Sequence, residues 1–113
     1  MHGKSFDTFC PLGPELVTTD LLLGPQQLRL QCFLNGKLMK DANTSEMIFS
    51  VAELIEYLSN GMTLLPGTVI MSGTPSGVGF ARNPTVYLKP GDTLELKIDS
   101  LGILRNPVAK AEP

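Results

Sequence analysis

Residues 71–79, with the sequence MSGTPSGVG, contain the groups best suited to chemistry in this chain. Gly73, Gly77 and Gly79 let the backbone adopt positive φ angles, so that its N–H groups can approach a bound anion closely. The hydroxyl of Thr74 adds a side-chain donor in the middle of the loop. These residue types predict a loop that binds a small anion. A connecting turn without a ligand would also explain the glycines and the proline.

Lys4 is the second candidate for chemistry. It lies between Gly3 and Ser5 and is followed two residues later by Phe6, so its ammonium group could hold an anion in a partly apolar site. Most lysines are instead solvated at the surface. The two interpretations stay open on the residues alone.

Other kinds of site lack the residues that they need. His2 is the one histidine of the sequence, which gives little support to a Ser-His or Cys-His couple. No histidine or cysteine pair has zinc spacing, and the glycine loop lacks the Lys-Ser/Thr end of a P-loop. A net charge of −2 argues against nucleic acid as a partner, and no apolar run is long enough to cross a membrane. Cys10 and Cys32 have apolar neighbours, which predicts buried, reduced thiols.

A β-hairpin and one helix are the elements that the sequence predicts most clearly. Residues 28–34 alternate apolar and polar side chains, and Asn35-Gly36 follows as a type I′ turn into a return strand at 37–40. Ser50 and Glu53 form a capping box, and the apolar stripe behind them predicts an amphipathic helix that ends with Gly61 in the left-handed C′ position.

Further strands are predicted from short apolar or alternating runs at 15–18, 68–71, 86–88, 94–98 and around 103–105. The run at 68–71 reads as a short buried strand that leads into the glycine loop. The 113 residues are enough for one small domain dominated by strands.

A series of short motifs runs through nearly the whole chain in a fixed order. The motifs are Gly3-Lys4-Ser5-Phe6-Asp7, Pro11-Leu12-Gly13-Pro14, Asn35-Gly36, Asn43-Thr44, Met47-Ile48-Phe49, Ser72-Gly73-Thr74-Pro75, Gly77-Val78-Gly79, Leu88-Lys89-Pro90-Gly91-Asp92, Leu101-Gly102 and Arg105-Asn106. This series resembles the fumarylacetoacetate hydrolase family, and the variant FCPLGP at 9–14 looks most like its domain-containing protein 2 branch. The resemblance implies a mainly β (α+β) fold, a mixed-sheet β-roll of the family's C-terminal-domain type with one amphipathic helix.

The resemblance also implies an activity. Members of the family act on small 2-oxo or β-diketo acids with a divalent metal, Mg²⁺ or Mn²⁺, that stabilises an enolate as a Lewis acid. By position, Lys4 matches the lysine that stabilises the developing negative charge, and Gly73, Thr74 and Pro75 match the substrate-binding loop. Asp7 belongs to the first motif, with a structural role favoured over metal ligation. The open choice lies between hydrolysis of an acylpyruvate-type C–C bond and keto-enol tautomerisation of oxaloacetate.

One departure from the family pattern shapes the expectation. The family's metal-binding carboxylates precede the Gly-Lys-Ser-Phe motif, with which this chain begins. Residues 1–113 therefore look like the C-terminal portion of a single catalytic domain, an incomplete fold that binds no metal alone and forms a homodimer when complete. The alternatives are a catalytically inactive product that keeps only folding and dimerisation surfaces, and an unrelated small β domain. An intracellular location, cytoplasmic or mitochondrial, is expected.

Overall fold

The computed structural model describes residues 6–22 and 24–110. Lys4 and its neighbours up to Ser5 lie outside the described residues. The described elements are four strands and one α-helix, namely β1 (Arg29–Leu34), β2 (Lys37–Asn43), α1 (Val51–Gly61), β3 (Thr93–Ile98) and β4 (Gly102–Pro107). Short 3₁₀ turns occupy Pro25–Gln27, Thr44–Glu46 and Gly79–Ala81. The predicted mainly β fold with one helix is confirmed.

The four strands form one sheet in the order β2-β1-β3-β4, and all three pairings are antiparallel. The predicted hairpin between β1 and β2 is confirmed, because Asn35 and Gly36 both have positive φ angles, 51° and 77°, as a type I′ turn requires. The return strand is longer than predicted and reaches Asn43. The predicted strands at 94–98 and around 103–105 are confirmed as β3 and β4.

A β-bulge interrupts the hairpin at Met39. Cys32 pairs with Lys40 and the next residue, Phe33, pairs with Leu38, so Met39 is the extra residue on β2. A bulge leaves the extra residue outside the regular ladder and redirects the side chains around it. The bulge lies next to the glycine loop, since a Cβ atom at Gly77 would be 2.9 Å from the Met39 carbonyl oxygen.

One face of the sheet holds the small core. Leu30, Cys32 and Leu34 on β1 lie opposite Ile98, Leu96 and Leu94 on β3. Cys32 and Ala42 are the buried hydrophobic residues of the described part of the chain, each about 8% exposed. The other face is polar and carries ion pairs between neighbouring strands, Arg29 with Asp41 and Arg105 with Glu95.

A side-chain network joins the end of β1 to the start of β3, the two central strands of the sheet. The Asn35 side-chain amide donates to Asp92 at 2.8 Å, and its carbonyl oxygen accepts from the Thr93 N–H at 2.9 Å. The second Asp92 oxygen accepts from the Lys89 N–H at 2.8 Å. The hairpin turn is thereby tied to the turn that starts β3, which helps to set the register between β1 and β3.

Helix α1 begins as the sequence predicts and ends differently. The Ser50 hydroxyl accepts from the Glu53 N–H, and the Glu53 carboxylate accepts from the Ser50 N–H, which confirms the capping box. Gly61 was expected in a left-handed C′ position, and this prediction is wrong. Gly61 is the last helical residue, and Met62 follows in an extended conformation while its N–H donates to the Leu58 carbonyl.

Three predicted strands are wrong. Residues 15–18, 68–71 and 86–88 have no strand conformation, and the run at 68–71 is exposed rather than buried. An apolar run shows a preference for burial but does not provide a hydrogen-bonding neighbour, and a strand needs one. Cys10 is also exposed, contrary to the expectation of a buried thiol, whereas Cys32 is buried as expected; both are free.

The chain exposes far more surface than its size requires. Its accessible surface is 9426 Å², against about 6,000 Å² for a typical folded monomer of this mass. Its radius of gyration is 15.7 Å, against about 13 Å for a typical domain of this length. Side chains as large as Leu16, Ile48 and Tyr57 are more than three-quarters exposed. Much apolar surface is therefore left uncovered by the chain itself.

Within the described ranges, no helix combines the length and the apolar character that a bilayer crossing needs.

The Asn35–Asp92 network makes a testable contribution to stability. Hydrogen bonds from Asn35 and from the Lys89 N–H hold the pKa of Asp92 below its ordinary value of 3.8. A carboxylate with a lowered pKa stabilises the fold above its unfolded pKa, and that contribution is lost as the pH falls through the folded value. We expect Asp92→Asn to reduce the dependence of the unfolding free energy on pH as the pH falls from about 5 to below 3.8.

Urea unfolding across this pH range measures the effect. The matched control is Glu56→Gln on the exposed face of α1, because the Glu56 side chain makes no hydrogen bond within the described residues. If the unfolding free energies of Asp92→Asn and Glu56→Gln depend on pH as that of the wild type does, the Asp92 charge does not contribute to stability through this network.

Candidate functional site

A cleft of about 460 Å³ lies between the glycine loop and the segment that joins β2 to α1. Loop residues 72–76 form one wall, and residues 43–49 form the other. Leu30, Ala42 and Leu54 contribute apolar side chains to the lining. The cleft thus brings together two of the motifs that the sequence analysis singled out, SGTP and NT–MIF, although about thirty residues separate them in the chain.

The glycine loop has its shape because two of its glycines are in conformations that other residues rarely adopt. Gly73 has a φ angle of 99°, and a Cβ atom there would meet nothing within 4 Å. Gly77 has a φ angle of 96°, and a Cβ atom there would lie 2.9 Å from the Met39 carbonyl oxygen and 3.3 Å from the Lys40 side chain. Gly73 is required by the turn, whereas Gly77 is required by the turn and by close contact with β2.

Two cationic side chains hold the loop against the bulge of β2. The Lys40 ammonium donates to the Thr74 hydroxyl oxygen at 2.5 Å. The Arg82 guanidinium donates through Nε to the Gly77 carbonyl at 3.2 Å and through Nη2 to the Met39 carbonyl. The Met39 carbonyl is available to Arg82 because Met39 is the bulged residue. The bulge and the two cations together position Thr74 at the cleft wall.

The opposite wall is fixed by hydrogen bonds that begin at Gln26. Its side-chain amide donates to the Thr44 carbonyl at 2.7 Å, and its side-chain oxygen accepts from the Val51 N–H at 3.0 Å. The Thr44 hydroxyl accepts from the Leu28 N–H and donates to the Pro25 carbonyl. Gln26 therefore joins the start of α1 to the end of β2, and the cleft has two braced walls.

The surroundings of Lys40 are positive. Cys32 lies directly across from Lys40 on β1, and burial raises the pKa of its thiol, while the charges of Lys40 and Arg82 oppose that shift. The thiol is neutral at pH 7, so it does not compensate the two cations. Asp41, the next residue on β2, is paired with Arg29, whose hydrogen bond lowers the pKa of the Asp41 carboxyl. Among the described residues, no carboxylate forms an ion pair with Lys40 or Arg82.

The structure places the predicted substrate-binding residues together. Gly73, Thr74 and Pro75 all line the cleft, with Pro75 half-buried. Their role in binding stays a prediction. Lys4, the predicted catalytic residue, lies outside the described residues. Asp7 lies within them and is exposed.

Lys40, Arg82 and Gln26 are site residues that the sequence reasoning missed. The sequence predicts Lys40 only as a residue of the return strand, and the neighbouring bulge leaves no mark in the alternation of residue types. The sequence around Gln26 contains no pattern that predicts which groups its side chain will hydrogen-bond. The signal in the sequence that points to such contacts is the density of glycines at 73–79, which indicates that another part of the chain or a ligand lies close to this backbone.

The donor set of the described residues does not match a divalent metal site. Residues 6–22 and 24–110 contain no group of three or more His, Cys, Asp or Glu side chains close enough to hold a metal ion. Glu46 is at the cleft, and its carboxylate accepts from the Asn43 N–H at 3.3 Å as part of a capping box. A single carboxylate that already caps a turn is a poor match for Mg²⁺, which needs near-octahedral oxygen ligation.

The sheet, the helix and the cleft under a glycine-rich loop define the class of the molecule, a mainly β domain with a small polar site at the sheet edge. Residues 1–109 match the family described as fumarylacetoacetate (FAA) hydrolase C-terminal. The chain belongs to the fumarylacetoacetate hydrolase family, as its motifs predicted.

Individual relatives agree with this assignment. The chain is 50% identical over 106 residues to a mitochondrial oxaloacetate tautomerase of Bos taurus, covering 94% of this chain and 34% of the relative. Its fold matches the fumarylacetoacetate hydrolase of Exiguobacterium antarcticum with a TM-score of 0.92 and 40% identity, over 96% of this chain and 39% of the other. It also matches a maleylpyruvate hydrolase of Sphingobium sp. SYK-6 in complex with manganese(II) and pyruvate, with a TM-score of 0.85, 34% identity, and 95% and 38% coverage. The chain spans about a third of the length of the curated relatives it matches.

The contact between the glycine loop and β2 predicts a steric effect at Gly77. We expect Gly77→Ala to destabilise the fold by about 1–3 kcal/mol more than Gly67→Ala, because only position 77 forces a methyl group against Met39 and Lys40. Gly67 is the matched control, since its φ angle of 87° carries a similar backbone cost with nothing within 4 Å of its Cβ position. Urea unfolding of both variants measures the difference. Equal losses of stability would show that the loop does not pack tightly on β2.

Proposed function

We propose that this chain forms the carboxylate-holding part of an enzyme site for small 2-oxo acids. The observation that carries the proposal is the position of Thr74, whose hydroxyl lies at the cleft wall in contact with the Lys40 ammonium. A hydroxyl donor beside an uncompensated cation suits a carboxylate, because a charge-assisted hydrogen bond is stronger than a neutral one. The open Cβ position of Gly73 allows the ligand to approach the backbone next to Thr74.

The relatives support the substrate class and leave the reaction open. The Bos taurus relative is named an oxaloacetate tautomerase, and the Sphingobium relative is a maleylpyruvate hydrolase that holds pyruvate. Both names involve small acids with a 2-oxo group. We propose the same class for this chain, with C–C hydrolysis and keto-enol tautomerisation as the two candidate reactions. Lys4, which the family pattern assigns to the developing enolate charge, stays a prediction.

A divalent metal would supply Lewis-acid stabilisation of an enolate in such a site. The Sphingobium relative in complex with manganese(II) supports Mg²⁺ or Mn²⁺ as the family's cofactor. The described residues of this chain do not provide the ligands, so no step of the proposal passes through the metal. Within the proposal, Thr74 and the loop backbone bind and orient a carboxylate.

A second candidate is a product without catalytic activity that keeps folding and dimerisation surfaces. Two observations favour it, the lack of a metal-ligand cluster in the described residues and the large exposed apolar surface. Under both candidates, residues 1–113 correspond to the C-terminal portion of one catalytic domain, and a homodimer is the proposed assembly of the complete protein. The mitochondrial name of the Bos taurus relative supports an intracellular location.

The role of Thr74 can be tested with oxalate as the probe. We expect Thr74→Val to raise the dissociation constant of oxalate by roughly tenfold, the effect of losing one polar contact worth about 1–3 kcal/mol. NMR titration followed at the backbone N–H groups of Gly73, Thr74 and Ser76 measures binding even when it is weak. The control is Thr68→Val, the same change six residues earlier at an exposed position outside the cleft lining. If Thr74→Val and the wild type bind oxalate equally, the loop is a connecting turn.

Metal titration of this chain tests whether it carries a set of metal ligands of its own. We expect calorimetric titration of the 113-residue chain with Mn²⁺ to show no saturable binding, with or without oxalate, because its described carboxylates are dispersed. The Asp41 carboxylate is already paired with Arg29. Saturable binding that oxalate strengthens would contradict this expectation. Asp7, Asp20 and Asp41 would then be the candidate ligands.

A further inference from the structure

Lys40 has a specific geometric relation to the cleft that the family pattern does not account for. Its Nζ atom lies 2.5 Å from the Thr74 hydroxyl oxygen, although 34 residues separate the two in the chain. Lys40 itself is half-buried on β2, next to the bulge at Met39. Lys40 is not one of the residues that line the cleft, whereas Thr74 is.

The chemistry of this pair fixes the direction of the hydrogen bond. An ammonium group has three donors and no acceptor, so the Thr74 oxygen must accept. The hydroxyl proton of Thr74 then cannot point back at Lys40 and is free to donate elsewhere. Because Thr74 lines the cleft, a ligand in the cleft is the available acceptor. The positive charge behind the oxygen also strengthens the hydroxyl as a donor.

We propose that Lys40 is the positioning residue of this site, which orients the Thr74 hydroxyl as a donor toward an anionic carboxylate. The proposal rests on the proposed function, since it deepens the account of the same carboxylate-binding loop. Lys40 acts through Thr74 and need not touch the ligand. Arg82 has a different task, because both of its described contacts are to backbone carbonyls of the loop and β2.

The test is a double-mutant cycle on oxalate binding by the full chain, read from NMR shifts of the backbone N–H groups of Gly73, Thr74 and Ser76. We expect Lys40→Met to raise the oxalate dissociation constant by roughly tenfold, which is what one charge-assisted hydrogen bond contributes. In the Thr74→Val background, Lys40→Met should change the constant by less than about twofold, because interacting residues are non-additive. Lys40→Arg, which remains a donor-only cation, should restore most of the affinity.

Matched variants separate positioning from a general loss of charge or fold. Lys37→Met removes the same charge from an exposed position on the same strand and should leave oxalate binding unchanged. Lys40→Gln keeps a polar end but can accept as well as donate, so it should weaken binding as Lys40→Met does. If Lys40→Met does not fold, Lys40→Gln and Lys40→Arg carry the same comparison.

The outcomes distinguish the inference from the proposed function. Three results together support the inference. Lys40→Met binds oxalate more weakly than the wild type, Lys40→Arg binds it almost as tightly as the wild type, and Lys40→Met has little effect in the Thr74→Val background. Equal binding by Lys40→Met and Lys37→Met, or losses that multiply fully in the double variant, would overturn the inference and leave the proposed function standing. No oxalate-dependent shifts in the wild type, or no effect of Thr74→Val, would overturn both.

Discussion

The site depends on how closely the glycine loop approaches strand β2. At Gly77 the two backbones are so near that no side chain fits between them, and the loop is held there by Arg82. The bulge at Met39 lies at this contact, where the Met39 carbonyl accepts from Arg82 and the neighbouring Lys40 donates to Thr74. A local irregularity in the sheet is therefore what positions the donor.

The sheet provides rigidity around this contact but little enclosure. Its two central strands pack a short apolar face, and few side chains of the described chain are buried. Hydrogen bonds join the ends of the strands to their neighbouring turns, through Asn35 and Asp92 at one end and Gln26 at the other. The large apolar surface that stays exposed is the kind that other polypeptide covers. This agrees with the proposal that the chain contributes a portion of a catalytic domain and assembles with a second copy.

The family membership and the cleft geometry address different questions. The relatives identify a class of enzymes, some of which are named for small 2-oxo acids. The geometry shows what this chain can contribute to such a site, a hydroxyl donor and a loop backbone supported by cations. Among the described residues it shows no group of side chains that could hold a metal ion.

The sequence by itself determined the elements whose signals are local. The type I′ hairpin follows from Asn35-Gly36, the helix start from Ser50 and Glu53, and the family from an ordered set of motifs. The strands predicted at 68–71 and 86–88 are wrong because apolar character does not supply a neighbouring strand. The left-handed conformation predicted for Gly61 is wrong because the helix ends through the extended conformation of the next residue. Only the tertiary structure decided that Lys40 meets Thr74, since that contact depends on a bulge and on backbone proximity across 34 residues. No periodicity records such a contact, because it is set by distances between elements rather than by the order of residue types.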